Sequence, residues 1–561
     1  MDNRYFQKLP LFVKIVLIVL FTLNICLLIG LNAATSLNRT ETAHLGSAAY
    51  LWNTGKFDLF HVNPPLTRFT VGLPIILNAP KYDWKSYSPR PQDRSEWATG
   101  AAFIAANDAN TIRWLTFLGR CTLIPFILIG SWYGFKLASE MFGYPAGLIF
   151  ITLWTFSPLF LGWGATLCPD MTAAALGMPA VYYFRRWLLA HSWKTAIIAG
   201  IGIGLLPLAK ITWIIAFGLF PFIWILSKNK PPLKQLCVIL LTALYILNTG
   251  YLFDGSFRLL KEYTFISKTL RGDSVNRFGD SILGYIPVPL PSEFVQGIDT
   301  QRRDFERGLE SYLFGKHQKH GWRYYYFIVF VLKEPLGTIL LAAIAAWIVM
   351  SQKKYRGLWN DEILIFVPFF ILLFVLCSQN GISVHPRYML PILPFLYLFV
   401  ARIGKAFEYK QRLIQIITVI CLGWTMMSSI YSYPYSMAYF NELIPVKERP
   451  EYLLGSNIDW GQSAYFLKSW LEKHPEASQI RIEYHSPEGI ERIGITAQGV
   501  PPSKPEPGWF AIDVNGLYSP DGKYAYFKQF EPIAIIGNSI FVYHLSEYNI
   551  KRAEKTGKNT L

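Results

Sequence analysis

Glu41, His44, Asp170, Lys210, His385 and Arg387 are the residues best placed to do chemistry in this chain, because each stands beside a long apolar run. An ionisable side chain at the edge of hydrocarbon is costly unless it pairs or faces water, so its default reading is functional. Glu41 lies in Asn38-Arg-Thr-Glu-Thr-Ala-His-Leu45, just past the first apolar stretch. There a carboxylate can act as a general base that takes the proton of an attacking hydroxyl. The same residues also spell a helix start, with Asn38 as the cap and Glu41, three residues on, as its reciprocal partner. The two readings are compatible. His44 is one turn from Glu41 on the same helix face, where it can orient the carboxylate, ligate a metal or form a plain hydrogen bond.

Further along, Cys168-Pro-Asp170, Leu208-Ala-Lys210 and His385-Pro-Arg-Tyr388 bring a second acid, a lysine and a histidine–arginine pair to other run ends. Arg387 offers a planar fork and Lys210 a point charge, both suited to a phosphate. The plainer alternative is that each snorkels to the membrane interface as an anchor. Glu41, His44 and Asp170 are also the candidate ligands of a divalent metal, although no pattern of the HExxH kind accompanies them. Asn63-Pro-Pro65, shortly before Arg68, reads as a rigid extended segment, since each proline fixes φ.

Positioning these groups falls to the apolar runs. Hydrophobic residues make up 52% of the 561 and aromatic residues 16%, the composition of a polytopic α-helical membrane protein. Spans are expected near 11–32, 113–138, 145–161, 171–190, 193–208, 210–227, 233–253, 324–350, 362–378, 386–402 and 411–430, about eleven in all. Lys and Arg outnumber acids by 53 to 37. That excess would suggest nucleic-acid binding in a soluble chain, but here the charges fall in small clusters between runs, not in one patch. Arg185-Arg186 with Lys194, then Lys228, Lys230 and Lys234, then Lys353, Lys354 and Arg356, then Arg402, Lys405, Lys410 and Arg412 occupy alternate connections. The short connections 162–170 and 379–385 carry none, and 139–144 is uninformative. This alternation predicts a cytoplasmic amino terminus, flanked by Arg4, Lys8 and Lys14, and puts the candidate residues on the outer face. The six cysteines lie in or beside apolar runs and suggest neither a disulfide framework nor a metal knuckle.

Three segments are too polar to span: the outer loops 33–112 and 254–323, and the tail 431–561. Gln301-Arg-Arg-Asp-Phe-Glu-Arg307 reads as an amphipathic helix lying on the membrane surface. In the tail a helix is expected over 463–473, with strand-like runs at 480–484, 509–514 and 533–543, which together describe a small α/β domain. Asn457, Asp459 and Gln462 suit either glycan contacts or ordinary turn chemistry. The expected organisation is a membrane domain over 1–430 and an extracytoplasmic domain over 431–561.

In these residues the chain resembles glycosyltransferase family 39, the protein O-mannosyltransferase-like and lipid A aminoarabinose transferase-like enzymes of the GT-C fold. The likeness is carried by the acid with histidine three positions on, by G-x-F at 55–57, N-P-P-L at 63–66, Pro-Asp at 169–170, L-x-K-x-T at 208–212 and H-x-R-Y at 385–388. Pro289-Leu-Pro-Ser-Glu-Phe-Val-Gln-Gly-Ile-Asp299, Lys333-Glu-Pro-Leu-Gly337, Ala438-Tyr-Phe-Asn-Glu442 and Ser456-Asn-Ile-Asp-Trp-Gly-Gln462 resemble a bacterial subgroup. The resemblance implies an inverting transfer of a sugar from a polyprenyl-phosphate donor to an acceptor hydroxyl on protein, lipid or glycan, at the outer face of the cytoplasmic membrane. It implies Glu41 as the base and Asp170 as the second acid. Lys210 and Arg387 would hold the carrier phosphate, with His44, Arg68, His385 and Tyr388 in support. No cofactor is implied beyond the donor lipid and, as an open alternative, a divalent metal. Many relatives carry Asp-Glu where this chain has Thr40-Glu41, and the spacing to His44 assigns the base to Glu41. Two other classes stay open: a transporter or flippase of lipid-linked sugars, and a non-catalytic envelope protein that binds them. Transporters place ionisable groups near the bilayer midplane, whereas these gather at span ends.

Overall fold

The computed structural model describes residues 9–555, so Arg4 and Lys8 of the expected cytoplasmic flank lie outside the described residues. Leu11–Ala34 (α1) buries Val13, Leu17, Leu20 and Leu28 while Leu11, Phe12, Ile15 and Ile18 stay exposed. One stripe thus faces protein and the rest is left for lipid. Arg39–Thr54 (α2), Pro65–Leu77 (α3) and Glu96–Ala106 (α4) build the first outer loop. Helices α2 and α4 cross so closely that a Cβ on Gly46 would lie 2.4 Å from Gly100 Cα, and one on Gly100 would lie 2.2 Å from the Thr42 carbonyl oxygen. Gly100→Ala is therefore expected to cost about 1–3 kcal/mol, as overpacking does in a tight core. Thermal unfolding of the purified protein checks this, and an unchanged midpoint would count against it.

Ala109–Cys121 (α5) leads into Ile124–Phe142 (α6), followed by Tyr144–Thr155 (α7), Pro158–Gly164 (α8), Pro169–Ala190 (α9), Trp193–Ala209 (α10), Ala216–Leu226 (α11) and Leu233–Thr249 (α12). The second outer loop contains Ser292–Arg307 (α13) and a hairpin of Glu310–Leu313 (β1) with Lys316–Lys319 (β2). After it come Tyr325–Lys333 (α14), Leu336–Ser351 (α15), Trp359–Ser378 (α16), Leu393–Ala401 (α17) and Arg412–Ser432 (α18). Helix forms at every expected span. By length and apolarity, however, four of the described helices can cross a membrane unaided, or six if two bent pairs each count as one span. The run expected at 324–350 is two helices, α14 and α15, bent by 113°. The break falls at Pro335, which cannot continue the α14 ladder. Helices α10 and α12 have 17 residues each, which is about 26 Å at 1.5 Å per residue and short of a hydrocarbon core about 30 Å thick.

The basic connections meet at one pole of this array. Arg185 Nε donates to Asp361 at 2.7 Å and its Nη1 to Glu140 at 2.9 Å, which brings connection 139–144 to the same pole. Arg402 grips Glu362 through two bonds of 2.9 Å, and Lys405 donates to the carbonyls of Lys354 and Arg356. At the other pole the Ser36 amide donates to the Gln462 carbonyl and the Leu309 amide to the Gly381 carbonyl, while Arg94 pairs with Asp304. The alternation read from charge is thus realised as two poles, with the candidate residues at the second.

In the tail, Ala464–Lys473 (α19) packs Leu467 on a four-stranded sheet of Arg481–Glu483 (β3), Gly508–Asp513 (β4), Ala534–Ile536 (β5) and Ile540–Leu545 (β6), in the order β3-β4-β6-β5. Strand β3 runs parallel to β4, with Ile482 opposite Ala511, and β6 is antiparallel to both neighbours. The run expected as one strand at 533–543 is a hairpin. Ile536 pairs with Ile540, and in the three residues between them Gly537 and Asn538 take φ of 62° and 57°, left-handed values that reverse the chain sharply.

Candidate active site

A cavity of about 860 Å³ opens at the second pole, enclosed by α2, the N-terminus of α9, the C-terminal end of α10, α13, the 382–388 segment and the tail loop around Trp460. Asp170, Lys210, His385, Arg387, Tyr388 and His44 all line it, so six of the residues singled out from sequence converge there. Beside it lies an apolar pocket of about 80 Å³ lined by Trp213, Ile215, Phe305, Leu372, Val375, Leu376 and Ile392. Lys210 and Tyr388 border both spaces. A cation and an aromatic hydroxyl therefore stand where a wet chamber meets a greasy one.

Local structure explains how each group arrives. Pro169 opens α9 with a φ suited to a first helical residue, which puts Asp170 in the first turn, where the helix dipole favours an anion. Lys210 caps the end of α10, and its ammonium pairs directly with Asp170 Oδ1. Cys168 Sγ donates to Asp170 Oδ2 at 2.7 Å, and Arg387 Nε stands 3.5 Å from that oxygen without a hydrogen bond of its own. Arg387 Nη1 donates to Thr40 Oγ1 at 2.7 Å, and its guanidinium lies 5.1 Å from the Trp163 ring. The pair of cations is thus held in place by a buried acid and leaves donor capacity toward the cavity.

His385 Nδ1 is 2.7 Å from Ser456 Oγ, and its ring meets Trp460 edge-on at 5.4 Å. Burial holds the His385 imidazole well below the usual histidine range, helped by the nearby charges of Arg387, Lys210 and Arg39. His44 is lowered in the same way, by burial first and then by Arg387, Arg68 and Lys210. It packs 4.9 Å from Phe60 and keeps an unpartnered Nδ1. Trp460 donates from Nε1 to Thr40 at 3.1 Å and carries Arg39 over its ring at 5.3 Å.

Glu41, expected as the base, does not line the cavity. It is fully buried beneath it, and donors surround its carboxylate. Arg120 clasps both oxygens at 2.7 and 2.6 Å, the Leu167 amide donates to Oε1 at 2.8 Å, and the Asn38 amide donates to Oε2 at 2.9 Å. The capping box is present in full, and Arg120 goes on to donate to the carbonyls of Asn32, Thr35 and Ser36. Glu41 thus joins α1, α2, α5 and the segment before α9, while its neighbour Thr40 faces the cavity. Sequence reasoning passed over Arg120 and gave no role to Thr40, Ser456 or Trp460, although all three stand in stretches quoted above. Arg120 had a readable signal, since an arginine inside an apolar run is costly without a partner. Nothing local showed that the other three would meet at the cavity.

Arg68 also lies outside the cavity lining; it is 1% exposed and donates to the Leu59 carbonyl at 2.6 Å. Glu41, His44 and Asp170 do not form a metal-ligand group, because the Glu41 oxygens are occupied by Arg120 and two amides, and no such group occurs among the described residues. The helix expected to rest on the membrane surface instead turns Gln301, Arg303, Asp304 and Arg307 to the cavity. Its polar face has a wall to complete, which satisfies those groups better than a lipid surface would.

No family model and no curated protein matches the chain. Among solved structures it is similar to ArnT from Cupriavidus metallidurans bound to undecaprenyl phosphate, with TM-score 0.47 and 10% identity over 94% of this chain and 98% of that one. It is similar to the same protein in the apo state at TM-score 0.44 and 10% identity, over 94% of this chain and 97% of that one. The archaeal oligosaccharyltransferase AglB from Archaeoglobus fulgidus, in complex with an inhibitory peptide and a dolichol-phosphate, gives TM-score 0.46 and 11% identity over 96% of this chain and 75% of that one. At about one residue in ten identical, these are similarities in the overall course of the chain, and the chemistry below rests on the cavity itself.

Proposed function

We propose that this protein is a membrane-embedded glycosyltransferase that takes a sugar from a polyprenyl-phosphate donor and passes it to an acceptor hydroxyl on protein, lipid or glycan. The reaction would occur at the outer face of the cytoplasmic membrane, with the segment 431–561 on that side. One observation carries the reading: the polar cavity and the apolar pocket meet at Lys210 and Tyr388. A lipid-linked sugar needs both environments, an apolar path for its chain and a polar chamber for its sugar, with cations at the join for the phosphate. Lys210 stands at that join and Arg387 beside it in the polar cavity, and Asp170 holds both before a phosphate arrives.

Attack by the acceptor oxygen on the anomeric carbon breaks its bond to the phosphate oxygen, and the bonding electrons leave with the carrier phosphate. Lys210 and Arg387 stabilise that growing charge, a preorganised electrostatic contribution. Single displacement of this kind inverts the anomeric centre, in keeping with the resemblance read from sequence. Two measurements test the proposal. The purified protein in lipid nanodiscs should bind undecaprenyl phosphate, and mass spectrometry of envelope glycans and proteins should show a sugar lost when the gene is deleted. Absence of lipid-phosphate binding would overturn the reading.

A further inference from the structure

The cavity must supply a group that accepts the acceptor's hydroxyl proton, and Glu41 is sealed away from it. Three carboxylates line the space. Asp170 has Lys210 on one oxygen and Cys168 on the other, with Arg387 at 3.5 Å, so it is both neutralised and occupied. Asp304 is engaged by Arg94 and Arg303, and Glu310 pairs at 3.0 Å with His317 at the rim with its side chain 57% exposed. A useful base should instead be buried at the reacting centre, hold a free lone pair, and be oriented by a third group.

His385 meets these conditions. Ser456 Oγ lies 3.5 Å from the Val384 carbonyl, which can accept a hydrogen bond from the hydroxyl. The Ser456 oxygen is then left to accept from His385 Nδ1–H at 2.7 Å. With its proton on Nδ1, the imidazole carries its lone pair on Nε2, which has no hydrogen-bond partner among the described residues. Ser456 is itself fixed in the tail: the adjoining Gly455 amide donates to Asn515 Oδ1 at 2.9 Å, and the Asn457 side chain donates to the Tyr325 hydroxyl at 2.8 Å. His44 shares the cavity, but no partner sets its tautomer, because its Nδ1 is unpaired.

Resting on the glycosyltransferase reading, we infer that His385 is the general base of the transfer and that Ser456, supplied by the C-terminal segment, is its positioning residue. The acceptor O–H proton moves to His385 Nε2 as the acceptor oxygen bonds to the anomeric carbon and the bond to the carrier phosphate breaks. The imidazolium then stands near a phosphate that has gained a negative charge, and it returns its proton to that phosphate or to water. The groups facing His385 are Arg387 and Tyr388 on its own segment, Lys210 and Asp170 across the cavity, His44, Arg39 and Thr40 on α2, and Trp460 from the tail. Burial first, and then the neighbouring cations, favour the neutral imidazole in the resting site, so the base is ready at neutral pH, and the acid limb of the transfer rate should lie below the ordinary histidine value of about 6.5.

The test uses full-length protein in nanodiscs, added to membranes of the deletion strain, which supply donor and acceptor. The mass-shifted product is quantified, and undecaprenyl phosphate binding is measured on the same samples. His385→Gln should bind undecaprenyl phosphate within a few-fold of wild type while transfer falls by about 10²–10⁴-fold, the usual worth of a positioned base. His385→Ala should regain part of its rate with added imidazole. Ser456→Ala should lower the maximal rate and shift the pH profile without changing lipid binding. Transfer by His385→Gln within threefold of wild type overturns the inference and leaves the glycosyltransferase reading standing. Joint loss of lipid binding and transfer assigns His385 a structural role and also overturns it. If wild-type protein fails to bind undecaprenyl phosphate, the underlying function fails instead.

Discussion

Lys210→Ala and Arg387→Ala are each expected to weaken undecaprenyl phosphate binding by about 10- to 100-fold. On the proposed reading each variant removes a charge-assisted hydrogen bond to phosphate, worth about 1.5–3 kcal/mol at roughly 1.4 kcal/mol per tenfold. The two losses need a control, because Lys210 also neutralises a buried acid. Asp170 is 2% exposed and in direct contact with the ammonium, so removing the lysine leaves an under-compensated charge and lowers stability. Asp170→Asn separates the effects. It removes the anion that competes with the incoming phosphate, so binding should be retained or tightened. The double variant Lys210→Ala with Asp170→Asn should recover the folding lost by Lys210→Ala and still bind more weakly than Asp170→Asn alone. If all three single variants lose binding equally, the triad is a structural brace and the phosphate site is misplaced. Arg387→Lys should rescue little, because a lysine cannot reproduce a fork that donates to Thr40 at 2.7 Å while facing Asp170.

Glu41→Gln should destabilise the protein by about 3–5 kcal/mol, the usual cost of breaking a buried pair by removing one partner. Arg120 would be left 1% exposed with only neutral acceptors, the carbonyls of Asn32, Thr35 and Ser36 and the Thr35 hydroxyl, and no counter-charge from residue 41. The expected observation is a large drop in thermal midpoint and in monodisperse yield, not a folded, inactive enzyme. Adding Arg120→Met should recover much of that loss, since it removes the stranded charge and fills the space with apolar volume. Should Glu41→Gln instead fold with a wild-type midpoint and lose only transfer, the assignment of Glu41 as a structural brace would be wrong.

Much of the fold was legible. Helices appear at all the expected spans, and the clusters Arg185-Arg186, Lys228, Lys353-Lys354 and Arg402 do meet at one pole. Hydrophobic period and charge alternation are properties of neighbouring residues, so a linear reading captures them. Breaks were less legible, as at Pro335, where Lys333-Glu334 alone interrupts the apolar residues before a proline that ends the hydrogen-bond ladder. The hairpin at Gly537-Asn538 did leave a local mark, the Gly537-Asn538-Ser539 stretch between apolar residues, and two left-handed residues reverse the chain there.

By itself the sequence determined that Asp170, Lys210, His385 and Arg387 share one end of a helical membrane protein, since alternation along the chain assigns each connection to a side. It could not say which of Thr40 and Glu41 faces the cavity. Adjacent residues on a helix point about 100° apart, and which of them looks inward depends on how α2 is rotated against α4 and α5. The tertiary structure decided that rotation through the Gly46–Gly100 contact and the Glu41–Arg120 pair, and both partners are remote from α2 in sequence. It likewise decided that Ser456 and Trp460, some 415 residues beyond α2 by number, complete the wall around His385. Such contacts are made by packing and hydrogen bonding between distant segments, for which no pattern of neighbouring residues is a proxy.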